Sequence, residues 1–180
     1  MRRKRQAISE IEREQSAEAV KQQVLNQLQI PQSAQVAIYL SYDGELETRP
    51  LIEAGWEQGW QISIPKINGQ QMAFYPYTPE TKLIENRYGI LEPDAEAHEA
   101  VASMNIEWIF MPLTAFDESG CRVGLGGGFY DRYLPMAKRA KSMGLAYDFQ
   151  LVEACPRESF DISIDSVITP SKIVDFSPRN

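Results

Sequence analysis

Between Val36 and Pro65 the chain alternates strand, loop, helix and strand, and this alternation restricts the fold more than any other stretch. Val36-Ala-Ile-Tyr-Leu40-Ser41 is an apolar run of strand length, and Trp60-Gln-Ile-Ser-Ile-Pro65 is a second. Between them Thr48 stands as a helix N-cap, and Pro50 falls in the first helical turn. Leu51, Ile52 and Trp56 share one apolar face, and Gly59 follows as the C′ stop. Two strands joined through a helix lie parallel in one sheet with a right-handed crossover. The expected fold is therefore α/β: a single-domain three-layer sandwich over residues 1–180, with a mostly parallel central sheet flanked by helices.

The remaining segments extend this pattern. Ser9 and Glu12 have capping-box spacing, and Ala17, Val20, Val24, Leu25 and Leu28 form an apolar helical face ending before Pro31. Further strands are expected at Gln71–Pro76, Trp108–Leu113, Ser142–Tyr147 and Ile162–Thr169. Helices are expected over Asp94–Met104 and from Phe129 to about Lys141, with a short helical turn at Gln150–Glu153. Met1-Arg-Arg-Lys-Arg5 reads as a solvated basic helix start, and His98 as a surface residue. No internal repeat or long linker divides the chain.

Charge and composition narrow the functions. A net charge of −7 argues against a general nucleic-acid or membrane-surface binder, although a few local Arg and Lys are enough to hold an anion. No apolar run reaches membrane-spanning length, and the N-terminus lacks a signal-peptide apolar core. Cys121 and Cys155 have neither metal-ligand spacing nor the look of a disulfide framework. A reduced, cytoplasmic, monomeric protein is expected.

The chemistry concentrates in Arg122-Val-Gly124-Leu125-Gly126-Gly127-Gly128-Phe129-Tyr130-Asp131. Glycines let backbone N–H groups converge and a phosphate approach closely, and a helix start adds its own N–H groups. Arg122 supplies a cation, and Asp131 a carboxylate suited to Mg²⁺ beside phosphate oxygens. The P-loop is excluded because Phe129-Tyr130 follows the glycines, and the dinucleotide fingerprint because Phe129 occupies its last position. Glu45 and the glycine window both follow strands. Ligands gather at the carboxyl ends of parallel strands, so the two are expected to share one cleft.

These residues resemble 5-formyltetrahydrofolate cyclo-ligase, also called 5,10-methenyltetrahydrofolate synthetase, from about Ser9 to Lys172. The markers are Leu40-Ser-Tyr-Asp-Gly-Glu45-Leu-Glu-Thr48, Ile64-Pro65-Lys66, Met111-Pro-Leu-Thr-Ala-Phe-Asp117 and the glycine window. The resemblance implies ATP-dependent cyclisation of 5-formyltetrahydrofolate to 5,10-methenyltetrahydrofolate, with Mg²⁺, through a phosphorylated N-formyl intermediate. It implies an ATP site of Arg2, Arg122, Gly124, Leu125, Gly126, Gly127, Gly128, Phe129 and Tyr130. For the folate it implies Leu40, Glu45, Tyr88, Leu125, Gly126, Gly127, Gly128 and Phe129, with Glu47 ordering the loop. Arg122 and Asp131 are the implied catalytic pair, with Asp131 and Asp165 the metal acids, and Asp161 or Asp117 as substitutes for Asp165. Family members begin with a Lys and an Arg four apart that reach the ATP phosphates. Here Arg2 or Arg5 stands in for them, or the recorded start lies downstream of the true one. The competing readings are a non-catalytic folate or nucleotide binder and a sugar-phosphate isomerase or CoA-transferase-like enzyme.

Overall fold

The computed structural model describes residues 1–124, 126–156 and 162–176. It opens with a short helix, Arg2–Gln6 (α1), and a long one, Glu10–Gln27 (α2). The strand Gln35–Ile38 (β1), the helix Arg49–Glu57 (α3) and the strand Gln61–Asn68 (β2) then form the parallel unit expected from the sequence. Gln71–Pro76 (β3) returns antiparallel along β2, and Leu83–Glu85 (β4) and Leu91–Pro93 (β5) make a separate hairpin. After the strand Trp108–Pro112 (β6) comes a second small hairpin, Ala115–Phe116 (β7) with Arg122–Val123 (β8), then the helix Phe129–Tyr133 (α4). Lys141–Leu145 (β9), Ser166–Ile168 (β10) and Ile173–Asp175 (β11) complete the chain.

The central sheet has seven strands in the order β11-β10-β9-β6-β1-β2-β3. Its five inner strands are parallel, and only the edges β3 and β11 run antiparallel. The chain leaves β1 to one side for β2 and later returns to its other side as β6. The strand order thus reverses between β1 and β6, which opens a crevice at their carboxyl ends.

Strand periodicity divides the core in two. Val36, Ile38, Ile62, Ile64, Trp108, Phe110, Met143 and Leu145 face one side, against Val20 and Val24 of α2 and Leu51 and Ile52 of α3. Ala37, Phe74, Ile109, Met111, Ala146 and Val167 face the other, against Tyr133, Leu134 and Ala137. Burial on both faces explains why β1 and β6 read as unbroken apolar runs rather than as alternating ones.

The second layer departs from expectation in two places. The helix that starts at Phe129 ends at Tyr133: Leu134 still has helical φ and ψ and donates to the Tyr130 carbonyl, but Pro135 lacks the N–H that would continue the ladder. The segment 94–104 contains two 3₁₀ turns, Ala97–Glu99 and Ser103–Asn105, rather than a helix. It has no apolar face to bury, and Val101 instead donates its N–H to the Phe74 carbonyl at the edge of the sheet.

Candidate active site

The loop leaving β1 is built around two acids with different duties. The Glu47 carboxylate accepts from the Thr48 and Arg49 N–H groups at 2.8 and 2.9 Å and from the Ser41 hydroxyl at 2.7 Å. It therefore caps α3, while Thr48 turns its hydroxyl inward to donate to the Tyr39 carbonyl at 2.7 Å. Glu47 orders the loop, as expected, and takes over the cap assigned to Thr48. Glu45 points the other way and is 6% exposed, its carboxylate accepting from the Tyr42 N–H at 3.0 Å. Burial raises its pKa to about 7, against the pull of the Tyr42 N–H and the Arg5 charge.

α1 is clamped onto this loop. Asp43 pairs with Arg2 at 2.5 Å and accepts from the Gln6 amide at 2.6 Å. Gly44, at φ +74°, would bring a Cβ to 3.0 Å from the Arg5 carbonyl carbon, so only glycine permits this contact. The clamp drives Arg5 fully inside. Its Nη1 donates to the Leu113 carbonyl at 3.2 Å, whereas Nε and Nη2 are buried without a hydrogen-bond partner. Arg5 is thus not the solvated residue expected from the basic run. Arg2, assigned to the ATP site, pairs with Asp43 while its side chain stays largely exposed.

Leu113 leaves β6 beside this guanidinium, and its carbonyl also accepts from Gln150 Nε2 at 2.6 Å. From the end of β9, the Tyr147 hydroxyl reaches the Glu45 carbonyl at 3.4 Å. The exits of β1, β6 and β9 therefore converge, and Tyr130 of α4 joins them. Its hydroxyl is pushed well above the ordinary range by burial, then by the Glu45 charge, with Arg122 opposing. Tyr130, just past the glycine window, thus lies within electrostatic reach of Glu45.

Within the window, Gly126 and Gly128 adopt φ of +87° and +62°, and Gly128 serves as the N-cap of α4. Leu125 lies outside the described residues. Arg132 braces the turn from outside, donating to the Gly127 and Gln70 carbonyls at 2.8 and 3.1 Å. With only five residues, α4 adds little dipole. The anion-binding capacity rests on backbone N–H groups and on arginine. Arg122 is 8% exposed, donates Nη2 to Asp131 Oδ1 at 2.7 Å and has its Nε buried without a partner. Two buried guanidinium groups thus keep N–H donors without a partner, Arg5 within electrostatic reach of Glu45 and Arg122 of Tyr130, the chemistry a polyphosphate satisfies.

A profile of the 5-formyltetrahydrofolate cyclo-ligase family matches residues 1–170. The chain belongs to that family. The 5-formyltetrahydrofolate cyclo-ligase of Escherichia coli (strain K12) is 35% identical over 178 residues, covering 96% of this chain and 98% of the relative. That of Haemophilus influenzae is 33% identical over 173 residues, covering 93% and 92%. Among solved structures, the 5,10-methenyltetrahydrofolate synthetase of Aquifex aeolicus superposes with a TM-score of 0.86 at 30% identity, over 99% of this chain and 90% of that one. The chain is therefore an ATP-dependent ligase of the cyclo-ligase family.

The other residues expected at a cyclo-ligase site are placed as follows. Leu40 is partly buried and packs on the α2–α3 side of the core, next to the Glu45 loop. Tyr88 is 56% exposed at the β4–β5 turn, with Arg87 over its ring, and its carbonyl accepts from the Tyr42 hydroxyl at 2.9 Å. This bond ties the hairpin to the Glu45 loop. Phe129 lies under the Arg132 guanidinium, 5.1 Å away.

Asp165 follows three residues after Ile162, whose N–H donates to Asp131 Oδ1 at 3.3 Å. It precedes β10 at the amino ends of the parallel strands, where its Oδ2 accepts from both the N–H and the hydroxyl of Ser142 at 2.7 Å. That is a latch between β9 and β10, and it engages one of the two carboxylate oxygens that the metal assignment would use. Of the named substitutes, Asp117 is enclosed by a turn and Asp161 lies outside the described residues. Asp131 does fit Mg²⁺. Its Oδ1 takes Arg122 and the Ile162 N–H, and among the described residues no donor reaches Oδ2. One carboxylate oxygen together with substrate phosphates is a common way to hold this ion. Arg5 is the residue that sequence reasoning under-weighted. Its signal was Asp43-Gly44, an acid and a glycine placed to draw a basic helix inward.

Proposed function

We propose that the chain catalyses ATP-dependent cyclisation of 5-formyltetrahydrofolate to 5,10-methenyltetrahydrofolate through a phosphorylated N-formyl oxygen. The observation that carries this reading is the pair of buried arginines, Arg5 and Arg122, which keep N–H groups without a partner and lie within electrostatic reach of Glu45 and Tyr130 respectively. A formyl oxygen is a poor leaving group, and the γ-phosphoryl group of ATP makes it a good one. The formyl oxygen attacks the γ-phosphorus and ADP leaves. N10 then adds to the activated carbon, phosphate departs with its oxygen, and N10 gives up its proton.

The chain's own part is alignment and charge neutralisation. Arg122 and Arg5 hold the phosphoryl oxygens, the backbone of Gly124, Gly126, Gly127 and Gly128 supplies further donors, and Asp131 orients Arg122. Asp131 would also hold Mg²⁺, which neutralises phosphate charge when bound. Glu45 orients the pterin, with Leu40, Tyr88, Phe129 and Tyr130 as the walls. The near-neutral pKa of Glu45 lets it present a proton or a lone pair to the ring at pH 7.

The test is absorbance of the methenyl product with and without ATP and Mg²⁺, combined with ¹⁸O in the formyl group. Appearance of that ¹⁸O in released phosphate supports the phosphorylated intermediate. Product formed with unlabelled phosphate rules it out.

A further inference from the structure

Asp117 sits in the turn between β7 and β8 and organises two segments at once. Its Oδ1 accepts from the N–H and hydroxyl of Ser119 at 2.9 and 2.6 Å and from the Cys121 N–H at 3.2 Å. Its Oδ2 accepts from the Cys155 N–H at 2.8 Å. One carboxylate therefore clamps the backbones of two cysteines that lie 34 residues apart in sequence. Both side chains turn inward, so the two Sγ atoms and an Asp117 carboxylate oxygen lie within 4.8 Å of one another. Cys121 is buried and Cys155 half-buried, and the Cys121 thiol donates to the Pro156 carbonyl at 3.8 Å. This convergence was not visible as a spacing motif, because the carboxylate rather than the sequence interval brings the thiols together.

We propose that Asp117, Cys121 and Cys155 form a site for one thiophilic divalent cation of the Zn²⁺ class, bound between the β7–β8 turn and the Cys155 segment. A tetrahedral ion with Zn–S of about 2.3 Å and Zn–O of about 2.0–2.2 Å needs donors roughly 3.4–3.8 Å apart, so these donors need shift by only about 1 Å. Oδ2 receives one hydrogen bond and keeps a lone pair for the ion. Sulfur donors select Zn²⁺ over Mg²⁺, which makes this site chemically separate from the Asp131 position. Three acidic groups converge here. The ion would join the segment after Leu151 to the residue preceding Arg122 without touching the substrates.

The test uses the reduced full-length chain and Co²⁺ as a spectroscopic probe for Zn²⁺. The expected result is a sulfur-to-cobalt charge-transfer band saturating at one Co²⁺ per chain, displaced by Zn²⁺ and unaffected by Mg²⁺. Cys155→Ser, at the more exposed position, lowers Co²⁺ affinity at least tenfold and weakens the band, and Cys121→Ser does the same. If Cys121→Ser fails to fold, Cys155→Ser decides alone. Absence of the band, a band unchanged in Cys155→Ser, or a thiol assay showing the two cysteines already joined as a disulfide overturns the proposal. Cyclo-ligase activity is not the readout, so the result stands apart from the proposed reaction.

Discussion

Arg122 and Asp131 meet in a 2.7 Å ion pair whose guanidinium is 6% exposed and whose carboxylate is 20% exposed. The pair brackets the glycine window, one member on β8 and the other on α4. It fixes Nη2 of Arg122 while leaving Nε unpaired.

Asp131→Ala separates the two jobs of this carboxylate. Losing a charge partner from a part-buried pair should cost roughly 1–3 kcal/mol of stability. Losing the orientation of Arg122 and the Mg²⁺ contact should lower kcat/KM by about 100-fold or more. Denaturant unfolding and steady-state kinetics measure the two effects. Activity close to wild type in a folded variant would remove Asp131 from the site.

Arg5→Met should move stability and binding in opposite directions. A buried guanidinium with two unsatisfied nitrogens is costly in the unliganded protein, and an apolar side chain of similar length relieves that cost. Unfolding should show equal or higher stability, by up to about 2 kcal/mol, while ATP affinity by calorimetry falls at least tenfold. A marked loss of stability would mean that Arg5 holds the Leu113 strand exit rather than a phosphate.

Glu45 makes stability depend on pH in the direction opposite to a salt-bridged carboxylate. Its pKa rises from 4.5 when unfolded to about 7 when folded, so between these values the folded chain holds a proton that the unfolded chain has released. Stability therefore falls as pH rises through this window, by about 3 kcal/mol in total. Glu45→Gln should remove that slope, raising stability of the free protein at pH 8 with little change at pH 4, while weakening folate binding. Parallel unfolding curves for the two proteins from pH 4 to pH 8 would show that Glu45 ionises normally.

Asp165→Ala tests whether this carboxylate latches the sheet or holds the metal. Its two hydrogen bonds from Ser142 join β9 to β10, and losing them should cost roughly 1–3 kcal/mol. The kcat and the Mg²⁺ concentration dependence should stay within about twofold of wild type. A large shift in Mg²⁺ dependence at unchanged stability would return Asp165 to the metal.

By itself the sequence determined the parallel unit around β1 and β2, and the tight turn at the glycine window. These follow from local chemistry: period-two burial, helix stops at Gly59, and glycines where φ must be positive. The same local rules failed where a single residue was passed over, as at Pro135, or where a polar segment such as 94–104 had no face to bury. Only the tertiary structure decided which basic residue is drawn inside, which hydrogen bonds Asp165 makes, and that Cys121 and Cys155 are neighbours. Each depends on partners distant in sequence, Asp43 and Gly44 for Arg5, Ser142 for Asp165, and Asp117 for the two thiols. Charge and spacing along the chain give no account of such contacts, because hydrogen bonding and burial are settled only once the strands have been ordered.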